Sequence, residues 1–199
     1  MSEQAIILDR DGVLNRMVVD PEFGTIDSPL HPSQIQVFSW AANDVARLTR
    51  FGFSIFIATN QPSASYGKTT RKNLEDVHER IVQEVCSKGG KIVQSYISWG
   101  GKNDEDPWRK PLPGMLLEAL STLKNPDREN SWMVGDGVTD IEAGMAAEVK
   151  TAFLGPSRCY NCKIFEERKI APTFLGAKLT DFVDFIEIQM ERGLCQNSM

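Results

Sequence analysis

Short apolar segments alternate along the chain with longer segments of helical periodicity. Five apolar segments have the length and composition of strands buried on both faces of a sheet. They are residues 5–8, 53–58, 92–99, 131–134 and 150–154. A sixth, residues 173–175, is predicted as an edge strand.

The intervening segments predict helices. In one of them apolar residues recur at helical spacing, namely Leu74, Val77, Ile81 and Val85. This helix is expected to begin after Thr69 or Thr70, and the preceding one to run from a Ser39 N-cap to residue 50. Further helices are predicted over residues 115–123, up to residue 147, and over residues 180–190. The alternation predicts an α/β fold with a doubly wound, mostly parallel sheet.

Composition predicts a single domain. The chain has 199 residues, 41% of them hydrophobic, which suits one full core. We expect the domain to span residues 1–190 and residues 191–199 to form a disordered tail. Residues 16–33 lack a clear period and are expected to form a flap or an irregular excursion. We assign no function to His31, which lies in that segment beside a proline.

Charge and cysteine content limit the partners and the compartment. A formal net charge of −5 argues against broad binding to nucleic acid or to an anionic membrane surface. The sequence has no run of 18 apolar residues and no signal-like N-terminal segment, so a cytoplasmic protein is expected. The four cysteines are sparse and irregularly spaced, which favours free thiols. The sequence does not indicate the oligomeric state.

Polar residues follow four of the predicted elements. The pairs are Asp9 and Asp11, Thr59 and Asn60, Arg109 and Lys110, and Asp136 and Asp140. Each pair alone has a structural explanation, such as an Asp-Gly turn or an acidic residue in the first turn of a helix. In a parallel sheet, however, all four fall at the same edge, where ligands bind. Their coincidence predicts a functional site.

The residue types at this edge suit phosphoryl transfer. Clustered carboxylates repel one another unless a hard cation neutralises them, and oxygen ligands suit Mg²⁺. Lys110 and the Thr59 hydroxyl would then stabilise the oxygens of a transferring phosphoryl group. Phosphoryl transfer is therefore the expected chemistry.

Four segments resemble motifs of the haloacid dehalogenase superfamily in order and spacing. They are residues 8–15, 59–61, 109–115 and 134–140. They are most similar to the small capless branch that contains the phosphatases of heptose bisphosphate and of histidinol phosphate. The resemblance covers residues 5–154 and implies a phosphatase without a separate cap domain, which forms an aspartyl-phosphate intermediate.

The resemblance also implies a role for each matching residue. Asp9 would be the nucleophile and Asp11 the general acid and base. Thr59 and Lys110 would bind the phosphoryl oxygens. The implied metal ligands are Asp9, Asp136 and the backbone carbonyl of Asp11, with Asp140 behind them. The implied substrate-binding residues are Asn60, Gln61 and Arg109.

Two departures from the branch affect the expected cofactors and substrate. Residues 99–108, where relatives often carry a zinc loop, contain neither cysteine nor histidine, so no zinc is predicted there. Cys159 and Cys162 form only a lone half-site. Residues 62–67 lack the arginine usual in the branch, which weakens the assignment to heptose bisphosphate more than it weakens the chemistry.

Three functions stay open at this point. The first is a Mg²⁺-dependent phosphomonoesterase for a sugar phosphate such as a heptose bisphosphate. The second is a phosphatase for histidinol phosphate or for a nucleic-acid end, the latter disfavoured by the acidic charge. The third is a non-hydrolytic phospho-relay module. Asp11 and the Gly-Asp-Gly-x-x-Asp motif at residues 135–140 favour turnover over relay.

Overall fold

The computed structural model describes residues 2–20, 24–102, 104–156 and 159–196. The strands are β1 (Ala5–Leu8), β2 (Val18–Asp20), β3 (Thr25–Asp27), β4 (Ser54–Asn60), β5 (Gln94–Ser98), β6 (Trp132–Gly135), β7 (Lys150–Leu154) and β8 (Phe174–Gly176). The α-helices are α1 (Ala41–Arg50), α2 (Arg71–Cys86), α3 (Gly114–Ser121), α4 (Val138–Ala146), α5 (Cys159–Arg168) and α6 (Leu179–Gln196).

Six strands form one sheet in the order β5-β4-β1-β6-β7-β8, and every neighbouring pair is parallel. The predicted doubly wound parallel α/β fold is confirmed. β1 lies near the centre, with Ile6 opposite Ile55 of β4 on one side and opposite Trp132 of β6 on the other. The strand order reverses at β1, so the crevice at its carboxyl end is the expected ligand site.

Alternate residues of the central strands pack into two separate cores. Ile6 and Leu8 of β1 belong to the larger core, which also contains residues of α1, α2 and α6. Ala5 and Ile7 point to the opposite face and pack with residues of α3 and α4. The period of two in a strand therefore explains why all four residues of β1 are fully buried.

The helix starts differ in how well the sequence predicts them. Thr70 is the N-cap of α2, and its side chain accepts a hydrogen bond from the Asn73 N–H, within the predicted choice of Thr69 or Thr70. The predicted Ser39 cap of α1 is wrong by one residue. The N-cap is Trp40, which gives no side-chain cap, and the helix begins at Ala41.

Two segments that were predicted as irregular connections contain regular secondary structure. Residues 16–33 include an antiparallel hairpin of β2 and β3, which we call the flap; residues 21–23 lie outside the described part of the chain. Residues 157–169, expected to be a polar connection, contain α5, whose Phe165 packs edge-on against Phe153 of β7.

The last helix is longer than its apolar pattern predicts. α6 continues to Gln196, whereas the sequence predicts a tail from residue 191; residues 197–199 are outside the described ranges. Glu191, Arg192 and Leu194 are good helix formers that outnumber the one poor helix former, Gly193, and no proline interrupts the segment. Among the described residues no helix has the length and apolarity needed to cross a membrane.

Candidate active site

The carboxyl ends of β1, β4 and β6 and the segment before α3 surround a cavity of about 200 Å³. The polar residues from these elements that line it are Asp9, Asp11, Thr59, Asn60, Lys110, Asp136, Thr139 and Asp140. All four polar pairs expected at this edge thus contribute to one place, although Arg109 is not among the lining residues.

Lys110 is the cationic centre of this cavity. Its Nζ lies 2.9 Å from Asp9 Oδ1 and 2.6 Å from Asp140 Oδ1, and it donates to the carbonyl oxygen of Ala58 at 2.7 Å. Its side chain is 2% exposed. Burial alone would lower the pKa of Lys110, but Asp140 and Asp9 outweigh it and hold the pKa above its ordinary value. The ammonium group therefore stays charged beside Asp9.

Two carboxyl groups of the cavity, those of Asp9 and Asp136, have raised pKa values. Burial raises the pKa of Asp9 to about 6, an effect that Lys110 opposes and Asp140 and Asp11 reinforce. Burial also raises the pKa of Asp136 to about 8, with further contributions from Asp9 and Asp140. Shifts caused by burial together with neighbouring carboxylates are typical of functional sites.

Asp11 has a different environment from Asp9. Its Oδ2 lies 2.9 Å from Arg10 Nη2 and accepts from Gln61 Nε2 at 2.7 Å. Its Oδ1 accepts from Asn15 Nδ2 at 2.8 Å. The two motif aspartates thus have different partners. Asp9 contacts Lys110, whereas Asp11 contacts three buried side chains.

Consecutive side chains at the end of β4 make different contacts. Thr59, 1% exposed, borders the cavity and accepts from Gln61 Nε2 at 2.8 Å. Asn60 also borders the cavity, and its amide binds the main chain of Lys110 twice, at 3.0 Å to the N–H and 3.0 Å to the carbonyl oxygen. Asn60 therefore fixes the backbone that presents the Lys110 side chain.

The residues fit the predicted Mg²⁺. Asp9, Asp136 and Asp140 each offer a carboxylate oxygen, and the three oxygens lie within 4.8 Å of one another. Both oxygens of Asp140 have other partners, since Oδ1 contacts Lys110 Nζ and Oδ2 accepts from the Gly137 N–H at 2.9 Å. Asp9 and Asp136 would therefore hold the cation, as oxygen ligands suited to a hard divalent ion.

Comparison with known proteins agrees with this geometry. A family model described as HAD-hydrolase-like matches residues 107–181. A D-glycero-beta-D-manno-heptose-1,7-bisphosphate 7-phosphatase from Pseudomonas aeruginosa is 34% identical over 150 residues, which are 74% of this chain and 79% of that protein. The chain belongs to the haloacid dehalogenase (HAD) superfamily. Its similar relatives are phosphatases, and this HAD chain is a phosphatase too.

Further comparisons support the HAD assignment. A protein of the same description from Yersinia pestis is 32% identical over 161 residues, which are 77% of this chain and 80% of that protein. The structure of a D,D-heptose 1,7-bisphosphate phosphatase from B. bronchiseptica, complexed with magnesium and phosphate, superposes with a TM-score of 0.77. It is 23% identical and covers 94% of this chain and 99% of its own. This likeness shows that the fold is shared.

Two residues that the HAD motifs suggested for substrate binding lie outside the cavity lining. Gln61 is fully buried and donates to Asp11 and Thr59. Arg109 Nη1 donates to the Gly100 carbonyl oxygen at 2.9 Å, so it holds the loop that follows β5. Their assignment to the substrate remains a prediction, and in the structure both side chains bind protein groups.

Sequence reasoning missed the flap's contribution to the site. Met17, Ile26, Asp27 and Ser28, from the flap and its ends, line the cavity. Asp27 Oδ2 lies 2.7 Å from Lys68 Nζ, and its Oδ1 accepts from Ser63 Oγ at 3.2 Å, which ties the flap to the loop after β4. The available signal was two turn-forming residues, Pro21 and Gly24, after the apolar run at residues 17–19, without the alternation that marks a strand.

The zinc prediction concerns two other segments. Asp106, in the loop where zinc-bearing relatives have their ligands, accepts from Ser98 Oγ at 2.6 Å and from the Trp108 N–H at 2.9 Å. Cys162 is exposed on α5, while the side chain of Cys159 lies outside the described part of the chain. The absence of zinc stays a prediction.

Proposed function

We propose that this HAD phosphatase hydrolyses the phosphate monoester of a small metabolite, a sugar phosphate such as a heptose bisphosphate, through an aspartyl-phosphate intermediate. The observation that carries the proposal is the pairing of Asp9 with Lys110 in a cavity that Asp11 also borders. The curated relatives named above support the sugar-bisphosphate class.

In the first step Asp9 attacks the phosphorus atom. The bond between phosphorus and the ester oxygen breaks, and Asp11 gives its proton to that oxygen, so the alcohol leaves and Asp9 carries the phosphoryl group. Lys110 and the Thr59 hydroxyl face the cavity and would stabilise the charge on the phosphoryl oxygens. Bound Mg²⁺, held by Asp9, Asp136 and the Asp11 carbonyl, would neutralise the carboxylates and the phosphoryl charge.

In the second step Asp11, now a carboxylate, takes a proton from a water molecule. The water oxygen attacks phosphorus, the bond to Asp9 breaks, and inorganic phosphate is released. Asp9 returns as a carboxylate and Asp11 as an acid, so the cycle needs only water. The separate partners of the two aspartates support this division of roles, because Lys110 contacts Asp9 while Arg10, Asn15 and Gln61 contact Asp11.

A phosphatase panel tests the proposal. Heptose 1,7-bisphosphate, hexose phosphates, histidinol phosphate, nucleotides and a DNA 3′-phosphate end would be offered with and without Mg²⁺. We expect Mg²⁺-dependent release of phosphate, strongest with a sugar phosphate. Asp9→Asn should abolish release, and Asp11→Asn should lower the rate with unactivated esters by about 10²–10⁴-fold.

Asp44→Asn provides a control, because Asp44 is a buried carboxylate that accepts a hydrogen bond from Thr180 in α6 and does not line the cavity. It should lose stability but keep its turnover number. Metal-independent release, or full activity of Asp9→Asn, would contradict the mechanism. Stable phosphorylation of Asp9 without turnover on any substrate would instead support a phospho-relay. Preference for histidinol phosphate would show that the proposed substrate class is wrong and would not contradict the mechanism.

A further inference from the structure

Three side chains converge on the carboxylate of Asp11. Gln61 reaches it from the end of β4, while Arg10 and Asn15 reach it from the turn that follows β1. The heavy-atom distances are 2.7 Å from Gln61 Nε2, 2.9 Å from Arg10 Nη2 and 2.8 Å from Asn15 Nδ2. We call these three residues the Asp11 cradle. Both oxygens of the carboxylate are engaged, so its plane is fixed.

All three members of the cradle are inaccessible to substrate. Arg10, Asn15 and Gln61 are each 0% exposed, and none lines the cavity that Asp9, Asp11 and Thr59 share. A substrate in this cavity therefore meets Asp11 but not the groups behind it. The cradle can affect the reaction only through the residues that it holds.

Gln61 differs from the other two because it spans two functional side chains. The same Nε2 atom donates to Asp11 Oδ2 at 2.7 Å and to Thr59 Oγ1 at 2.8 Å. Its two amide hydrogens account for both bonds. The side chain thus sets the separation between the residue expected to transfer protons and a residue expected to contact the phosphoryl group.

The cradle is built at a cost in stability. Within the described part of the chain, Gln61 Oε1, Arg10 Nη1 and Asn15 Oδ1 are buried and have no hydrogen-bond partner. A buried polar atom without a partner typically costs about 1–3 kcal/mol. The three donors offset part of the desolvation of the buried Asp11 carboxylate, and their directions fix its orientation.

We propose that Gln61 is a positioning residue, which holds the Asp11 carboxylate against the Thr59 hydroxyl and makes no contact with the substrate. This inference rests on the proposed function, since it takes Asp11 as the general acid and base. It replaces the substrate-binding role that motif resemblance suggests for Gln61.

A matched pair of esters tests the inference. p-Nitrophenyl phosphate has a leaving group that departs without a proton, whereas p-nitrobenzyl phosphate has a similar shape but releases an alkoxide that needs one. Gln61→Met keeps the length of the side chain and removes the donor. Phosphoenzyme formation would be followed by rapid mixing and acid quench, with Mg²⁺ present throughout.

We expect Gln61→Met to slow phosphoenzyme formation from p-nitrobenzyl phosphate by about 10²-fold, within the usual value of general acid catalysis. Formation from p-nitrophenyl phosphate should slow by less than about threefold, and the phosphoenzyme should accumulate because its hydrolysis also needs Asp11. The dissociation constant of each ester, taken from the concentration dependence of the rate of phosphoenzyme formation, should change by less than about twofold, because Gln61 makes no contact with the substrate in this role. Should Gln61→Met not fold, Gln61→Asn offers the same comparison with a shortened donor.

Two controls make the result decisive. Ser98→Ala removes another buried side-chain hydrogen bond, from Ser98 to Asp106, at the end of the neighbouring strand β5. Its rates of phosphoenzyme formation from both esters should equal those of wild type. Asp11→Asn is the reference for lost acid catalysis. Equal slowing with both esters in Gln61→Met, or a raised dissociation constant with an unchanged maximal rate of phosphoenzyme formation, would overturn the positioning role.

The reference variant separates this inference from the proposed function. If Asp11→Asn discriminates between the two esters and Gln61→Met does not, only the role of Gln61 is wrong. If Asp11→Asn hydrolyses both esters as wild type does, the proposed role of Asp11 fails, and the inference about Gln61 fails with it.

Discussion

A β-carbon placed on Gly12 would lie 1.9 Å from Oδ2 of Asp136, far inside van der Waals contact. The backbone of Gly12 has φ +87°, in the left-handed region that favours glycine. The turn after β1 therefore comes within direct contact of the carboxylate at the end of β6. This close approach is what brings the predicted nucleophile and the predicted metal ligand into one cluster.

Gly12→Ala should therefore displace Asp136 and lower the turnover number by about 10²-fold or more, the usual effect of a misplacement near 1 Å. Gly52→Ala is the matched control. Gly52 has φ +90°, and a β-carbon there would meet nothing within 4 Å. It should cost about 1 kcal/mol in the free energy of unfolding and leave turnover unchanged. Equal turnover in the two variants would contradict the steric argument.

Mg²⁺ affinity should rise with pH. The pKa of Asp136 is raised to about 8, so at pH 7 the metal-free protein keeps a proton that a cation must displace. Well above pH 8, where Asp136 is already a carboxylate, the affinity should level off. Calorimetric titration in two buffers of different ionisation enthalpy counts the protons released. We expect release at pH 7 that declines by pH 9; no release at pH 7 would contradict the assignment.

Asn60→Ala should lower kcat more than it raises KM. The amide of Asn60 makes two 3.0 Å hydrogen bonds to the main chain of Lys110, and its loss frees the segment that presents the ammonium group. We expect about 1–3 kcal/mol lower stability and at least a tenfold lower kcat. Asn60→Asp keeps only the hydrogen-bond acceptor, so its stability and its kcat should lie between those of wild type and Asn60→Ala. A large rise in KM with kcat unchanged would support the substrate role that the motif suggests.

His78 should make the protein less stable as the pH falls. Burial, reinforced by the charge of Arg10 and partly opposed by that of Asp11, lowers the pKa of His78 to about 4. The unfolded chain binds this proton near pH 6.5, so its contribution to stability is present above pH 6.5 and is lost as the pH falls to about 4. The loss should reach about 3 kcal/mol at most.

Urea unfolding of wild type and His78→Phe at pH 7 and pH 4.5 measures this contribution. The aromatic replacement keeps the ring volume and removes the titration. Other groups, including Asp9 and Asp136, titrate in both proteins and cancel in the comparison. We expect wild type to lose more stability than the variant between the two pH values. Identical losses would show that the folded protein accommodates the charged imidazole.

The sequence predicts the sheet and the location of the site well, for a geometric reason. The strands are buried on both faces, so β1 is recognisable as an uninterrupted apolar run that stops at Asp9. Parallel strands bring their carboxyl ends to one edge, and this rule alone is enough to group Asp9 with Asp136 from their places in the sequence. Lys110 joins them through the segment before α3.

The direction of each side chain is much harder to predict. Thr59, Asn60 and Gln61 are consecutive polar residues. Thr59 and Asn60 both border the cavity, but Asn60 binds the Lys110 main chain, and Gln61 is buried and binds Asp11. Polarity alone does not separate these targets, because they depend on what the neighbouring strand and loop place nearby. The flap shows the same limit. Its hairpin is local, but its contact with the cavity depends on Asp27 and Lys68, which are 41 residues apart.

The central place of β1 in the sheet also affects how the protein is made. Asp9 precedes Asp136 by 127 residues, which a ribosome adds in roughly 6–25 s at 5–20 residues per second. β4 can pair with one side of β1 during that time, but the other side waits for β6, Trp132–Gly135. A nascent chain of this phosphatase therefore carries an open apolar strand edge, the kind of surface that chaperones shield, until β6 and the predicted metal ligand Asp136 have been synthesised.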